Sequence, residues 1–227
     1  MTRSPSPWQF ARLTRPRFAG IADLVARLAD APDWPSVAML NERFAAELGS
    51  VGVQLVEAAK TRTMRGPDGM VDPSSLYEVR IVERGEVPTR PCNAHDLCNA
   101  LAWAAFPRAK LALSRALADV QRARAVGRQT LPATRTPAHD RLALIDEGGV
   151  VCVVGSRAPQ TWIFGHALYE HAYDGDGDLR VRGAAIDLAL PDGDGLGVEA
   201  ARAVVDRALA AADLARAVRP GPGIPVA

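Results

Sequence analysis

The sequence predicts a helix-rich α+β domain with a small antiparallel sheet, and three observations carry that expectation. Apolar residues recur at helical spacing along much of the chain, as in Ile21, Leu24, Val25 and Leu28, or Leu111, Leu113, Leu117 and Val120. Two apolar runs, Leu142-Ala-Leu-Ile and Val150-Val-Cys-Val-Val, flank Asp146-Glu-Gly-Gly and read as a hairpin over 142–154. Composition shows no break over 227 residues, so a single domain, 1–227, is expected.

Taken in order, residues 1–20 hold three prolines and scattered arginines and read as an irregular arm, fastened by Trp8, Phe10 and Phe18. A helix follows through Leu28. Pro35, at a first-turn position, opens a second through Val37, Leu40, Phe44 and Leu48, closed by Gly49. Val51-Gly-Val-Gln-Leu-Val alternates as a strand does, and Arg65-Gly-Pro-Asp-Gly is turn chemistry. Asp72-Pro-Ser-Ser offers a cap for a short helix through Leu76 to Val82, ending at Gly85, although its β-branched content also permits a strand. The central helix runs from near Asn93 to Phe106, Pro107 breaks it, and an arginine-rich helix continues over 109–125. Residues 127–139 read as one long surface loop, able to act as a lid. After the hairpin come a helix from Trp162 to Tyr173 and a polar turn over Asp174–Asp178. One or two strands over Leu179–Leu190, a terminal amphipathic helix over Val198–Val218 and a frayed tail over 219–227 complete the chain.

With 27 basic and 26 acidic side chains the net charge is +1, so no global field draws the chain to nucleic acid or to an anionic membrane. A small-molecule ligand is the expected partner. Cys92, Cys98 and Cys152 are odd in number and lack metal-type spacing, which argues against a disulfide framework and for a reducing cytoplasm. The longest apolar runs fall far short of the ~20 residues that span a bilayer, and the first residues, MTRSPSPWQF, lack the apolar core of a signal peptide.

Candidate chemistry lies in three separated segments. On the central helix His95 and Asn99 share one face, with Asp96 beside them, so a histidine able to change charge near neutral pH sits among hydrogen-bonding groups. The plainer reading is a helix cap, Asn93 with an acid three residues on. In the second segment Asp146 and Glu147, with Asp140 upstream, place adjacent carboxylates at the hairpin tip, where they can hold a cation or a shared proton, or serve only as turn residues. In the third, His166 and Glu170 stand at i and i+4, a spacing by which two metal ligands converge, and equally that of a buried histidine–glutamate bond. His171 points away from that line. Phosphate-loop, dinucleotide and nucleophile-elbow templates are absent.

Together Trp34-Pro with Leu40-Asn41, Tyr77-Glu78 with Ile81, Gly85 to Arg90, His95-Asp96-Leu-Cys-Asn99 through Lys110, Asp140 with Asp146-Glu147-Gly148, and Phe164-Gly-His166 through Glu170 resemble DUF3025, a bacterial family of unknown function. The family motif usually has an aromatic where Cys98 stands, so no role falls to the cysteines. The resemblance brings no activity with it.

The expected function is an enzyme on a small polar or anionic substrate, with metal-assisted hydrolysis as one form of it. The catalytic set is His95 as base, with Asp96, Asn99, Lys110, Asp146, Glu147, His166 and Glu170; Arg90, Arg108 and Asp140 are the substrate-binding set. One divalent metal ion is the cofactor these residues allow. The alternative is a noncatalytic binding or scaffold protein in which the same residues form a buried hydrogen-bond network.

Overall fold

The computed structural model describes residues 7–58, 64–132, 134–154, 160–175, 180–181, 184–189, 196–220 and 224–225. Its architecture is α+β and rich in helix, as the periodicity predicts. The chain begins with 3-10 turns at Phe10–Arg12 and Pro16–Ile21. The arm is pinned by its aromatics: Phe18 is buried, and the Trp8 indole donates to the Ala31 carbonyl at 3.0 Å while packing against Trp34. Short helices α1 (Ala22–Ala26), α2 (Val37–Arg43) and α3 (Ala45–Gly49) follow. Ser36 caps α2, its hydroxyl accepting the Met39 N–H, so Pro35 stands just ahead of the cap rather than within the first turn.

Strand β1 (Gln54–Glu57) pairs in parallel with β2 (Glu86–Thr89), Leu55 opposite Val87. Between them Asp72 caps a 3-10 turn, and α4 (Tyr77–Arg84) confirms the helical alternative for that segment. Gly85 ends α4 at φ +66, and a Cβ there would lie 2.3 Å from the Gly52 carbonyl oxygen. Both the left-handed backbone and the close approach require glycine.

Helix α5 (Ala94–Ala105) is the centre of the core, with every residue from Asp96 to Ala105 buried. Pro107, which has no N–H to lose, opens α6 (Pro107–Ala125) at a bend. The Arg108 and Ala109 N–H groups at that start donate to Asp206, at 3.4 and 2.9 Å.

The 142–154 hairpin is not formed. Residues Pro137–Gly148 are helix α7, capped by Thr136, whose hydroxyl accepts the His139 N–H, with Pro137 in the first turn. Leu142 and Ile145 are buried at a three-residue spacing while Leu144 is 43% exposed, the period of a helix rather than of a strand. The 127–139 loop is therefore shorter than expected. Strand β3 (Gly149–Val154) follows α7 directly, and its antiparallel partner is β4 (Gln160–Ile163), so the helix expected from Trp162 starts only at α8 (His166–Asp174). The sheet is mixed, in the order β4–β3–β6–β7: β6 (Ala184–Ala189) lies parallel to β3, and β7 (Val218–Pro220) lies antiparallel to β6. Val150 and Val151, which point to opposite faces of β3, are both fully buried, and this covering of both faces explains why β3 is an unbroken apolar run.

The terminal helix divides into α9 (Val198–Ala211) and α10 (Leu214–Ala217). Beyond them the segment expected to fray forms β7 and then β8 (Ile224–Pro225), which pairs with β5 (Arg180–Val181). Strand pairing satisfies backbone groups whatever the side chains, so a Pro-Gly-rich tail can supply an edge that periodicity does not reveal. Of the Asp174–Asp178 turn, residues 176–178 lie outside the described residues.

Gly85→Ala is expected to lower stability by about 2 kcal/mol or more, from the left-handed backbone and the Gly52 clash together. Urea unfolding of the parent and the variant measures it.

Candidate functional site

Asn93 caps α5 by accepting the Asp96 N–H at 3.0 Å, which fixes the rotation of the helix. Cys92, at φ +53, turns the chain so that the end of β2 folds back over that cap. Asp96 then receives three donors from Arg90: the backbone N–H at 2.6 Å, Nε at 2.8 Å and Nη2 at 2.7 Å. Asp96 is thereby committed to holding Arg90.

His95, one residue earlier, meets α8. Its Nδ1 lies 2.7 Å from Glu170 Oε2 and its Nε2 lies 3.0 Å from His166 Nε2, the two rings crossing edge to face at 84°. His166 and Glu170 do share a face of α8, as their spacing predicts, but they engage opposite nitrogens of His95 rather than converging on one point. The bond to Glu170 raises the His95 pKa, and the same bond lowers that of Glu170. Burial, helped by the Lys110 charge, drives His166 down to about 4. Only one hydrogen fits between the facing Nε2 atoms, and these environments assign it to His95.

Asp146 and Glu147 lie in the last turn of α7 rather than at a hairpin tip. Lys110, 2% exposed, places its ammonium 2.5 Å from Asp146 Oδ1 and 3.0 Å from Asn99 Oδ1, over the Trp103 ring. The Asn99 amide donates in turn to the Tyr77 hydroxyl at 3.0 Å. Burial would raise the Asp146 carboxyl, but the Lys110 charge overrides it and holds the group below its ordinary range. Glu147, without such a partner, is raised by burial and by its neighbour Asp146.

The two helix ends meet because Gly165 has no side chain. A Cβ there would stand 2.4 Å from the Glu147 carbonyl oxygen and 2.5 Å from the Gly149 nitrogen. His166, the first residue of α8, is thus set against the end of α7, with Nδ1 at 3.6 Å from Asp146 Oδ2 and Nε2 at 3.6 Å from Glu147 Oε2.

These groups border a cavity of about 310 Å³, lined by His95, Asp96, Asn99, Asp146, Glu147 and His166 from the expected catalytic set, together with Arg90. Lys110 and Glu170 support it from behind through Asp146 and His95. Two expected residues are not brought there. Arg108 is exposed at the start of α6 and Asp140 is exposed in the first turn of α7, and neither lines this cavity. Tyr77 and Glu78, quoted above only for the family resemblance, do line it. Burial raises the Glu78 carboxyl, and Glu78, Asp146 and Glu147 also border a second space of about 300 Å³ reaching His139 and Arg135. The sequence cue for this pair is a Tyr-Glu at the helix start that follows the Asp72-Pro-Ser-Ser cap, polar groups set just ahead of Val79, Ile81 and Val82.

Part of this site has relatives. Residues 67–160 match the DUF3025 family model. It is described as a protein of unknown function, and the matched span holds Tyr77, Glu78, Arg90, His95, Asp96, Asn99, Lys110, Asp146 and Glu147. His166 and Glu170 lie beyond the DUF3025 match, as do Trp34 and Leu40-Asn41. No curated protein and no solved structure matched the chain.

Asp146→Asn leaves the Lys110 ammonium buried without its counter-charge and is expected to cost about 3 kcal/mol. Because the folded-state pKa of Asp146 is depressed, its contribution is present above the ordinary value of 3.8 and is lost as pH falls through the lower folded value. The gap between parent and variant should accordingly close on acidification, which chemical denaturation at several pH values tests. Gly165→Ala is expected to destabilise by about 1–3 kcal/mol through overpacking against Glu147 and Gly149, read as a drop in thermal midpoint.

Proposed function

We propose that this chain is a hydrolase acting on a small anionic molecule held in the cavity between α4, α5, α7 and α8. What supports the reading best is the convergence of His95, Glu147 and His166, from three remote segments, on one polar hollow that also carries a half-buried carboxyl at Glu78. Groups of that kind are the parts of acid–base chemistry.

In this reading the substrate's anionic group meets Arg90, whose Nε and Nη2 are oriented by Asp96. A water molecule stands at the face formed by His95 Nε2, His166 and Glu147. Glu78 takes a proton from that water as its oxygen attacks the electrophilic centre, the bond to the leaving group breaks, and Glu78 returns the proton to the leaving atom. His95, expected from the sequence as the base, supplies positive charge instead, since Glu170 favours its imidazolium form. Lys110, Asn99 and Asp146 act as positioning residues. A reducing compartment agrees with three free thiols, Cys92, Cys98 and Cys152. Among the described residues no helix is long and apolar enough to cross a membrane.

The scaffold reading draws on a different observation, that Tyr77, Asn99, Lys110 and Asp146 satisfy one another as a buried chain of hydrogen bonds. It accounts for those residues and leaves the cavity-facing edge of His95 and Glu147 without a role.

Screening the purified protein against small anionic esters, amides and phosphoesters tests the proposal. Activity is expected to rise with pH through the raised range of Glu78, and His95→Gln and Glu78→Gln should each lose about 10²-fold or more with little change in thermal midpoint. No turnover in any class, or a His95→Gln variant that is mainly destabilised, would favour the scaffold.

A further inference from the structure

We propose that His95 Nε2, His166 Nε2 and a carboxylate oxygen of Glu147 bind one divalent transition-metal ion of the Zn²⁺ type, with an open coordination position facing the cavity. The three ligand atoms lie within 4.8 Å of one another; the two Nε2 atoms are 3.0 Å apart, and Glu147 Oε2 is 3.6 Å from His166 Nε2. Bonds of about 2.0–2.1 Å at angles between about 90° and 109° place ligand atoms roughly 2.8–3.4 Å apart. These two separations already lie at or near this range, and the 4.8 Å bound on the set leaves the half-exposed Glu147 carboxylate to swing inward by on the order of 1 Å, the ion taking the place of the single hydrogen between the imidazoles.

Other features point the same way. His95 turns its remaining nitrogen, Nδ1, to Glu170 at 2.7 Å, the outer arrangement that orients metal-binding histidines, while His166 Nδ1 stands 3.6 Å from Asp146, beyond hydrogen-bond reach. His166 is only 4% exposed, yet its Nδ1 has no hydrogen-bond partner within reach and its Nε2 faces another imidazole. A buried side chain so incompletely satisfied is unusual. In addition, Asp146 and Glu147 occupy the last turn of α7, where the helix dipole opposes carboxylates. Lys110 compensates Asp146; a metal ion would compensate Glu147.

The donor set names the class of ion. Two imidazoles with one carboxylate suit Zn²⁺ and its neighbours rather than Mg²⁺ or Ca²⁺, and three protein ligands with a free position are the catalytic rather than the structural pattern. This site takes its chemical role from the hydrolase reading, with one change: His95 would bind through an unprotonated Nε2, so the ion replaces the imidazolium as the source of positive charge and would acidify the attacking water, leaving Glu78 to receive the proton.

Protein stripped with a chelator and titrated calorimetrically with Zn²⁺ is expected to bind one ion per chain, undisturbed by excess Mg²⁺. Loss of buried His166 can unfold the chain, so the deciding variants are Glu147→Gln, whose side chain is 53% exposed, and Glu170→Gln behind His95. The first should weaken binding about tenfold or more and the second about 10–100-fold, with Co²⁺ absorption reporting four- or five-coordination. No stoichiometric Zn²⁺ binding, unchanged affinity in Glu147→Gln, or anaerobic binding of Fe²⁺ without Zn²⁺ each overturns the assignment. The two proposals also fail separately. Turnover that survives in chelated protein removes the ion and keeps the hydrolase; stoichiometric Zn²⁺ binding without turnover in any substrate class keeps the ion and removes the hydrolase.

Discussion

A lysine ammonium buried to 2% exposure must find a carboxylate, and where it finds one governs how α5, α6 and α7 meet. Lys110 enters the core beside Trp103, draws Asp146 inward from the end of α7, and takes Asn99 from the middle of α5. Each partner is then committed. Asn99 has an amide left only for Tyr77, which ties in α4, and Asp146 is fixed in the charged form beneath the cavity. The net worth of such a pair is small because desolvation opposes it, but an alternative packing that separated the partners would leave an uncompensated charge.

With that pair in place, electrostatics divides two otherwise similar histidines. His95, half-buried and held by Glu170, is biased toward the charged form, whereas His166, sealed in beside Lys110, is biased toward the neutral one. Likewise Asp146 and Glu147, adjacent in sequence, are pushed in opposite directions because only the first touches Lys110. Paired groups whose environments drive them apart are a recurring feature of reactive sites. Helix ends, not loops, hold all four, so the positions are set by packed backbone, down to a glycine contact too close for any Cβ.

The residues divide into those spent on construction and those that remain open. Asp96 is occupied by Arg90, and Asn99 and Lys110 by the buried chain; Glu147 and Glu78 face the hollow, and His95 and His166 border it while sharing one hydrogen between their Nε2 atoms. DUF3025 resemblance reaches both groups without distinguishing them. Its matched span stops before His166 and Glu170, which complete the site from a later segment.

The sequence by itself determined what depends on near neighbours: the Asn93 cap, the break at Pro107, the left-handed stop at Gly85, and the face shared by His166 and Glu170. It also marked most of the residues that line the cavity. It misled over 137–148, where two apolar runs around glycines outweighed the Thr-Pro cap that starts a helix, because a four-residue apolar run fits either period until burial decides between them. Tertiary structure alone decided that Glu170 would hold His95 rather than join His166, that Arg108 and Asp140 would face solvent, and that Glu78 would enter the site. Those outcomes depend on distances between segments far apart in the chain, set by how one buried charge and one missing side chain let the helices close, and no local pattern records them.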